Sequence, residues 1–297
     1  MSFYLLHILN EGYVIKKHRG HLICEKNGEA RQIALEDLRG IILAAKDTML
    51  SDQLISAILS HDAFILHCND KYQPIGLTAP LPRLARISVA EQQAKATDTF
   101  KSEIWHLLMA AKTCNQIAVL KLMKCRYHYL EAKIKETPIN ESACARYYWR
   151  EYFKGLGYDK LTRRHDPEHT INGMLNYGYA VLGALCHRSL VAHGLSPLFG
   201  VHHQGSFHGN PLVYDIIEPW RSFVDYHLCA YLHKKPQSDI KEWLQESRCC
   251  WEQIVHIAPN NHQKLVDAVD YCVKSLASVF DEQKTTKLWL PQMTNIV

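Results

Sequence analysis

The chain has 297 residues, 47% hydrophobic and 22% charged, an ordinary globular composition that excludes a disordered, collagen-like or disulfide-scaffold protein. Lys and Arg number 34 against 30 Asp and Glu, so a net charge of +4 excludes a uniformly basic binder, and any nucleic-acid surface must gather its cations on one face. The ten Cys form no C-x-x-C pair and mostly sit in apolar runs as small hydrophobes, which points to a reducing compartment.

Met1 to Asn10 has no basic segment ahead of its apolar stretch and reads as a first strand, not a secretion signal. No apolar run approaches bilayer-spanning length. Phe3 to Leu9, Tyr13 to His18 and His21 to Lys26 are short runs of aromatic and branched residues, and Asn27-Gly28 supplies a type I′ hairpin turn. Ile41 to Ala44 and Ala63 to Cys68 read as buried strands. Between them Ser51 caps a helix to Ser60, with Leu54, Ile55, Ile58 and Leu59 on one face.

Pro74, Pro80 and Pro82 lead out of this region, and a 3.6-residue period takes over. Expected helices cover 88–112, 115–135, 141–153, 170–193, 219–233, 239–254 and 261–281, followed by an irregular tail of about fifteen residues. The fold class is therefore α+β. A β-rich domain of strands and one helix (1–76) is followed by a linker (77–87) and a larger all-α domain (88–297).

Three segments carry chemistry. In the first, Asn140 caps a helix whose first turn holds Glu141, on one face with Ala145, Tyr148 and Tyr152, and Arg146 follows. Helix-dipole placement alone would also explain that carboxylate. The second is a Gly-rich loop, Gly200 to Pro211, with His202, His203 and His208. In the third, Asp215 and Glu218 lie three apart, followed by Pro219, Trp220 and Arg221. First-turn stabilisation explains the acidic pair blandly. The sharper reading is a site for a hard divalent cation, and one imidazole would shift the preference from Mg²⁺ towards Mn²⁺.

Together these segments resemble the CRISPR-associated integrase family, the universal subunit that inserts new spacers into a repeat array. The family's E-x-x-x-A-R stands here as Glu141 to Arg146, its N-x-x-L-x-Y-x-Y as Asn172 to Tyr179, and its His-x11-Asp-x2-acidic pattern as His203, Asp215 and Glu218, with Trp220 and Arg221 after it. The likeness runs over the whole chain and is nearest to the subtype that accompanies a single large RNA-guided effector nuclease. Pro219 departs from the family pattern and leaves the helix start open. His203 is preferred over His202 and His208 by its spacing.

The resemblance implies a catalytic set of Glu141, His203, Asp215 and Glu218. One Mg²⁺ or Mn²⁺ would be held by Glu141, His203 and Glu218, with Asp215 behind them or reaching the metal through water. It implies an endonuclease and integrase that joins short foreign DNA to a CRISPR array by attack of a 3′-hydroxyl on a phosphodiester. The DNA partners would be duplexes with 3′ overhangs and CRISPR repeat DNA. Candidate phosphate contacts are Arg83, Arg86, Arg146, Arg163, Arg164 and Arg221, with Lys121, Lys124, Arg126 and Lys160, though each run also reads as a solvated charged face. His165 and His169, four apart, lack further partners for a zinc site and read as surface residues. The family also implies a homodimer joined through residues 1 to 45 and two such dimers bridged by a small companion subunit dimer. The effector nuclease is a further partner, and the setting is a prokaryotic cytoplasm. A metal-dependent phosphoesterase without strand transfer, and a non-catalytic DNA-binding scaffold, are the competing readings.

Overall fold

The computed structural model describes residues 4–81, 87–164, 170–204, 209–258 and 261–293. Arg83, Arg86, His165, His169 and His208 lie outside them.

The N-terminal part holds two four-stranded sheets. Strands β2 (Val14–His18), β3 (His21–Lys26) and β4 (Glu29–Ala34) form an antiparallel meander, and the short β6 (Met49–Leu50) pairs parallel to β2. The β3–β4 turn has Asn27 at φ 52° and Gly28 at φ 83°, the positive angles that a type I′ turn requires. The other sheet runs β1 (Tyr4–Ile8), β5 (Leu38–Leu43), β7 (Phe64–Cys68), β8 (Pro74–Thr78), the first three parallel and β8 antiparallel. Helix α1 (Asp52–Ser60) starts where Leu54 N–H donates to Ser51 Oγ at 3.3 Å.

Strands β5 and β7 are apolar on both faces because both faces are covered. Ile41 and Ile65 join Ile15, Leu22, Leu54 and Ile58 in the interior of the N-terminal part. Their neighbours Ile42, Phe64 and Leu66 face the opposite way and join the larger core of the helical part. Polar ties cross the same boundary: Tyr177 Oη lies 3.1 Å from His7 Nδ1, Arg188 Nε donates to the Asp62 carbonyl, and Arg39 is 3.6 Å from Asp267.

The rest is mostly helical. Helices α2 (Ile87–Lys95), α3 (Asp98–Leu122) and α4 (His128–Lys133) replace the two helices expected over 88–135. Thr97 caps α3, accepting from Phe100 N–H at 3.3 Å. The expected break near 113 does not occur, because Thr113 Oγ donates to the Met109 carbonyl at 2.8 Å and is satisfied inside the helix. Helices α5 (Glu141–Gly155) and α6 (Thr170–Ala192) follow. After α7 (Pro211–Ile216), a 3-10 turn (Glu218–Trp220) leads into α8 (Arg221–Lys234).

The segment 239–254, read as one helix, is two short ones, α9 (Ile240–Glu246) and α10 (Arg248–Trp251). An antiparallel hairpin of β9 (Ile254–Ala258) and β10 (Asn261–Lys264) then precedes α11 (Leu265–Glu282). This corrects the all-α expectation locally: β-branched Ile254 and Val255 pair with Lys264 and Gln263. The tail up to residue 293 carries a 3-10 turn (Thr285–Lys287) and is anchored. Asn115 Nδ2 donates to the Pro291 carbonyl at 3.1 Å, and Met293 N–H donates to Asn115 Oδ1 at 3.0 Å. No helix among the described residues is long and apolar enough to cross a membrane.

Candidate active site

Glu141 opens α5, held in the first turn by Asn140, whose Oδ1 accepts from Ala143 N–H at 3.0 Å. Glu218 opens the 3-10 turn. Pro219 lacks an N–H and fits that turn, and its carbonyl accepts from Asn115 Nδ2 at 2.7 Å. This settles the helix start: α8 begins at Arg221, and the carboxylate stands one turn earlier.

The two glutamates meet on one cation. Lys112 Nζ, from α3, donates to Glu141 Oε1 at 2.8 Å and stands 2.6 Å from Glu218 Oε2. The second contact is a close ion pair, and it leaves Glu218 Oε2 buried against the ammonium. Arg221 Nε donates to Glu218 Oε1 at 2.9 Å. Burial alone would raise the Glu218 carboxyl, but Arg221 and Lys112 outweigh it and hold it down to about 2. Burial would likewise lower the Lys112 ammonium; Glu218 and Glu141 reverse this and raise it.

The histidine loop is built on Asp215, which is fully buried. Its carboxylate accepts from the backbone N–H of Val201 (2.7 Å), His202 (3.2 Å) and His203 (3.1 Å), and from His203 Nδ1 at 2.7 Å. Gly200 permits this closure: a Cβ there would lie 2.5 Å from the His203 carbonyl and 2.9 Å from Asp215 Oδ2. Gln93 of α2, fully buried, fixes the approach, donating to the carbonyls of Ser196 (2.9 Å) and Phe199 (2.6 Å).

Trp105 of α3 stacks flat on His202 at 4.1 Å and meets His203 edge-on at 5.7 Å. The two loop histidines thus differ. His202 lies on the indole, whereas His203 answers to the acidic groups. Burial would lower its imidazole, but the hydrogen bond and charge of Asp215, then the charges of Glu218 and Glu141, raise it.

Behind the glutamates lies an aromatic layer. Asp225 of α8 accepts from Tyr148 Oη at 2.7 Å and from Tyr179 Oη, and its backbone carbonyl accepts from Tyr152 Oη at 2.7 Å. Burial pushes the Asp225 carboxyl up to about 6, against the opposing pull of the tyrosine hydrogen bonds. The Tyr179 ring carries Arg221 at 4.6 Å and Arg163 at 5.3 Å. The Asn172 to Tyr179 motif supplies this layer. Asn176 Oδ1 accepts from Arg163 at 2.6 Å, and Asn172 Nδ2 donates to the Thr162 carbonyl at 3.0 Å. A groove of about 1030 Å³ between β8 and α6 is lined by Lys71, Arg163, Tyr179, Tyr214 and Arg221 among others.

The three segments therefore converge, with two differences from the sequence reading. Asp215 and Glu218 do not share one role: Asp215 closes the loop, while Glu218 faces Lys112 and Arg221. Among the described residues, no three of His, Cys, Asp and Glu stand close enough to hold a metal ion by themselves, and the Lys112 ammonium lies between two of the acidic groups. The sequence reading missed Lys112, Trp105, Gln93 and Asn115. One signal was present: between Glu103 and Lys121, Lys112 is the single Asp, Glu, Lys or Arg in an otherwise largely apolar run. Of the arginines, Arg146 and Arg164 are exposed, while Arg163 and Arg221 are engaged within the molecule.

The frame is an α+β protein whose helical part gathers carboxylates, an imidazole and cations beside a basic, aromatic groove. The family model described as "CRISPR associated protein Cas1" matches residues 6–251, and the chain belongs to that family. It is 25% identical over 295 residues to the CRISPR-associated endonuclease Cas1 of Neisseria meningitidis serogroup C (strain 8013), covering 96% of this chain and 95% of that one. The fold matches a casposase bound to integration product with a TM-score of 0.80 at 19% identity, over 96% of this chain and 92% of the other. It also matches a chain of a Cas6-RT-Cas1–Cas2 complex with a TM-score of 0.73 at 16% identity, over 97% of this chain and 36% of that one.

Proposed function

We propose that this chain is a divalent-metal-dependent DNA endonuclease and integrase that inserts short DNA fragments into a CRISPR array by transesterification. The observation that carries the reading is the meeting of Glu141 and Glu218, from separate elements, at one cation position within electrostatic reach of His203. Hard carboxylate oxygens with one imidazole suit Mg²⁺ or Mn²⁺. The buried Glu218 Oε2 faces the Lys112 ammonium at 2.6 Å, so it is a carboxylate oxygen at a cation position and fits a ligand atom for an ion there. Glu141, His203 and Glu218 would hold the ion.

When bound, the ion polarises a phosphoryl oxygen and stabilises charge on the attacking and leaving oxygens. The chain's own residues do the rest. Asp215 takes the His203 Nδ1 proton in its hydrogen bond, which puts the lone pair of the neutral ring on Nε2. Arg221 holds Glu218 in place from its other oxygen. In strand transfer one P–O bond forms to the incoming 3′-oxygen and one breaks, so the number of phosphodiesters is conserved and no nucleotide is consumed. Exposed Arg146 and Arg164, and the groove beside Arg163 and Arg221, would supply DNA phosphate contacts.

The solved neighbour named a Cas6-RT-Cas1–Cas2 complex supports a companion subunit. The arrangement we propose is a homodimer through the hairpins of residues 1 to 45, with a small companion subunit bridging two such dimers. The effector nuclease is a further candidate partner.

The test is a branched DNA with a 3′ flap, incubated with Mn²⁺ or Mg²⁺. The expected result is a rejoined strand that is lost with chelator and with His203→Ala, while DNA binding survives in that variant. Cleavage without rejoining would favour the phosphoesterase reading instead.

A further inference from the structure

Lys112 emerges from α3 into the site with its side chain 10% exposed, and its ammonium contacts Glu141 at 2.8 Å and Glu218 at 2.6 Å. Those separations are set by the nitrogen's own contact radius. A divalent ion on the same two oxygens would stand about 2.0–2.5 Å from each. It would then overlap the nitrogen, so ion and ammonium exclude each other there.

Charge leads to the same conclusion. Glu141 and Glu218 are already answered by Lys112 and Arg221, so the pair offers a divalent ion little net attraction while the ammonium stays. Burial adds to this: Glu218 is buried, and a second carboxylate brought this close to it without a cation destabilises the fold. The chain carries a cation of its own for that position.

We propose that Lys112 is a built-in competitor of the divalent ion: it holds Glu141 and Glu218 together until the ion arrives, and the ion binds only by displacing it. This rests on reading Glu141, His203 and Glu218 as the ion site. Lys112 thereby lowers the affinity of the site for metal and keeps the acidic turns in place when metal is scarce.

The experiment is Mn²⁺ binding to the full-length protein without DNA, followed by electron paramagnetic resonance and calorimetry. The proteins are the wild type, Lys112→Met, Lys112→Arg and Lys112→Met combined with Glu141→Gln. Lys112→Met is expected to bind Mn²⁺ tighter by about tenfold or more, since repulsion between a monovalent and a divalent cation a few ångströms apart exceeds that factor at the effective dielectric of proteins. Lys112→Arg keeps the wild-type affinity, and adding Glu141→Gln removes the gain. Metal-free Lys112→Met melts lower than the wild type, and saturating Mn²⁺ raises its melting temperature by more. Glu141-dependent binding of equal or weaker strength in a folded Lys112→Met overturns the competition and leaves the ion site standing. Absence of Glu141-dependent binding in every protein overturns both. Should the Met variant fail to fold, Lys112→Gln, which keeps a donor without the charge, carries the same comparison.

Discussion

One carboxylate organises the histidine loop: Asp215 binds the His203 ring at Nδ1 and the His203 backbone at N–H, at 2.7 and 3.1 Å, and takes two more N–H groups from Val201 and His202. The ring cannot swing without losing a bond to the group that also fixes its backbone.

Asp215→Asn replaces one acceptor oxygen by a donor. It strands buried N–H groups and is expected to destabilise by about 1–3 kcal/mol. Metal affinity or strand transfer should fall roughly 10–100-fold, as for other residues that orient a ligating histidine. Denaturant melts and Mn²⁺ titration check this; an Asn variant matching the wild type in both would remove Asp215 from the site.

Gly200→Ala places a methyl group against the His203 carbonyl and Asp215 Oδ2. Overpacking of that kind costs about 1–3 kcal/mol locally. Strand transfer should drop tenfold or more. Strand transfer by Gly200→Ala at the wild-type level would contradict the tight closure.

The arginines should separate by salt titration of DNA binding. Arg146→Ala and Arg164→Ala, at exposed positions, are each expected to reduce the slope of log K against log salt by about 1 and to move stability by less than about 0.5 kcal/mol. Arg163→Ala loses its bond to Asn176 and its stacking on Trp149 and Tyr179, and should also cost about 1–2 kcal/mol of stability. Slopes unchanged for Arg146 and Arg164 would remove both from the DNA surface.

Asp225 predicts a pH effect with a definite sign. Its folded carboxyl sits at about 6, above its ordinary 3.8, because it is buried. The fold thus favours the protonated form. That stability is fully present below about pH 4 and is lost as pH rises through 6, by about 3 kcal/mol in all. Asp225→Asn, neutral throughout and able to keep both tyrosine contacts if one hydroxyl turns to accept, should lack this loss. Urea unfolding at pH 4 and pH 7.5 measures it; parallel curves for wild type and variant would refute the assignment.

The local chemistry of the chain was readable residue by residue. Ser51 and Asn140 cap their helices because their side-chain oxygens reach the N–H three residues on. Asn27-Gly28 makes its turn because both residues tolerate positive φ. The spacing from His203 to Asp215 to Glu218 named a site within one stretch of about sixteen residues. Where local signals competed, reading failed. The boundary expected between 112 and 115 falls inside α3, where Thr113 is satisfied within the helix. The helices expected over 239–254 and 261–281 took in Ile254 and Asn261 to Lys264, yet these residues pair as strands.

Sequence by itself thus determined what acts over three or four residues: the caps, the turns, the two periodicities and the types of donor in each segment. The tertiary structure alone decided which charges meet. Lys112 is 29 residues from Glu141 and still further from Glu218, and Trp105 is about a hundred from the histidines it supports. Their encounter depends on how α3 lies against α5 and the turn before α8. That packing is set by the apolar faces of the helices, which carry no mark of the polar side chains they bring together.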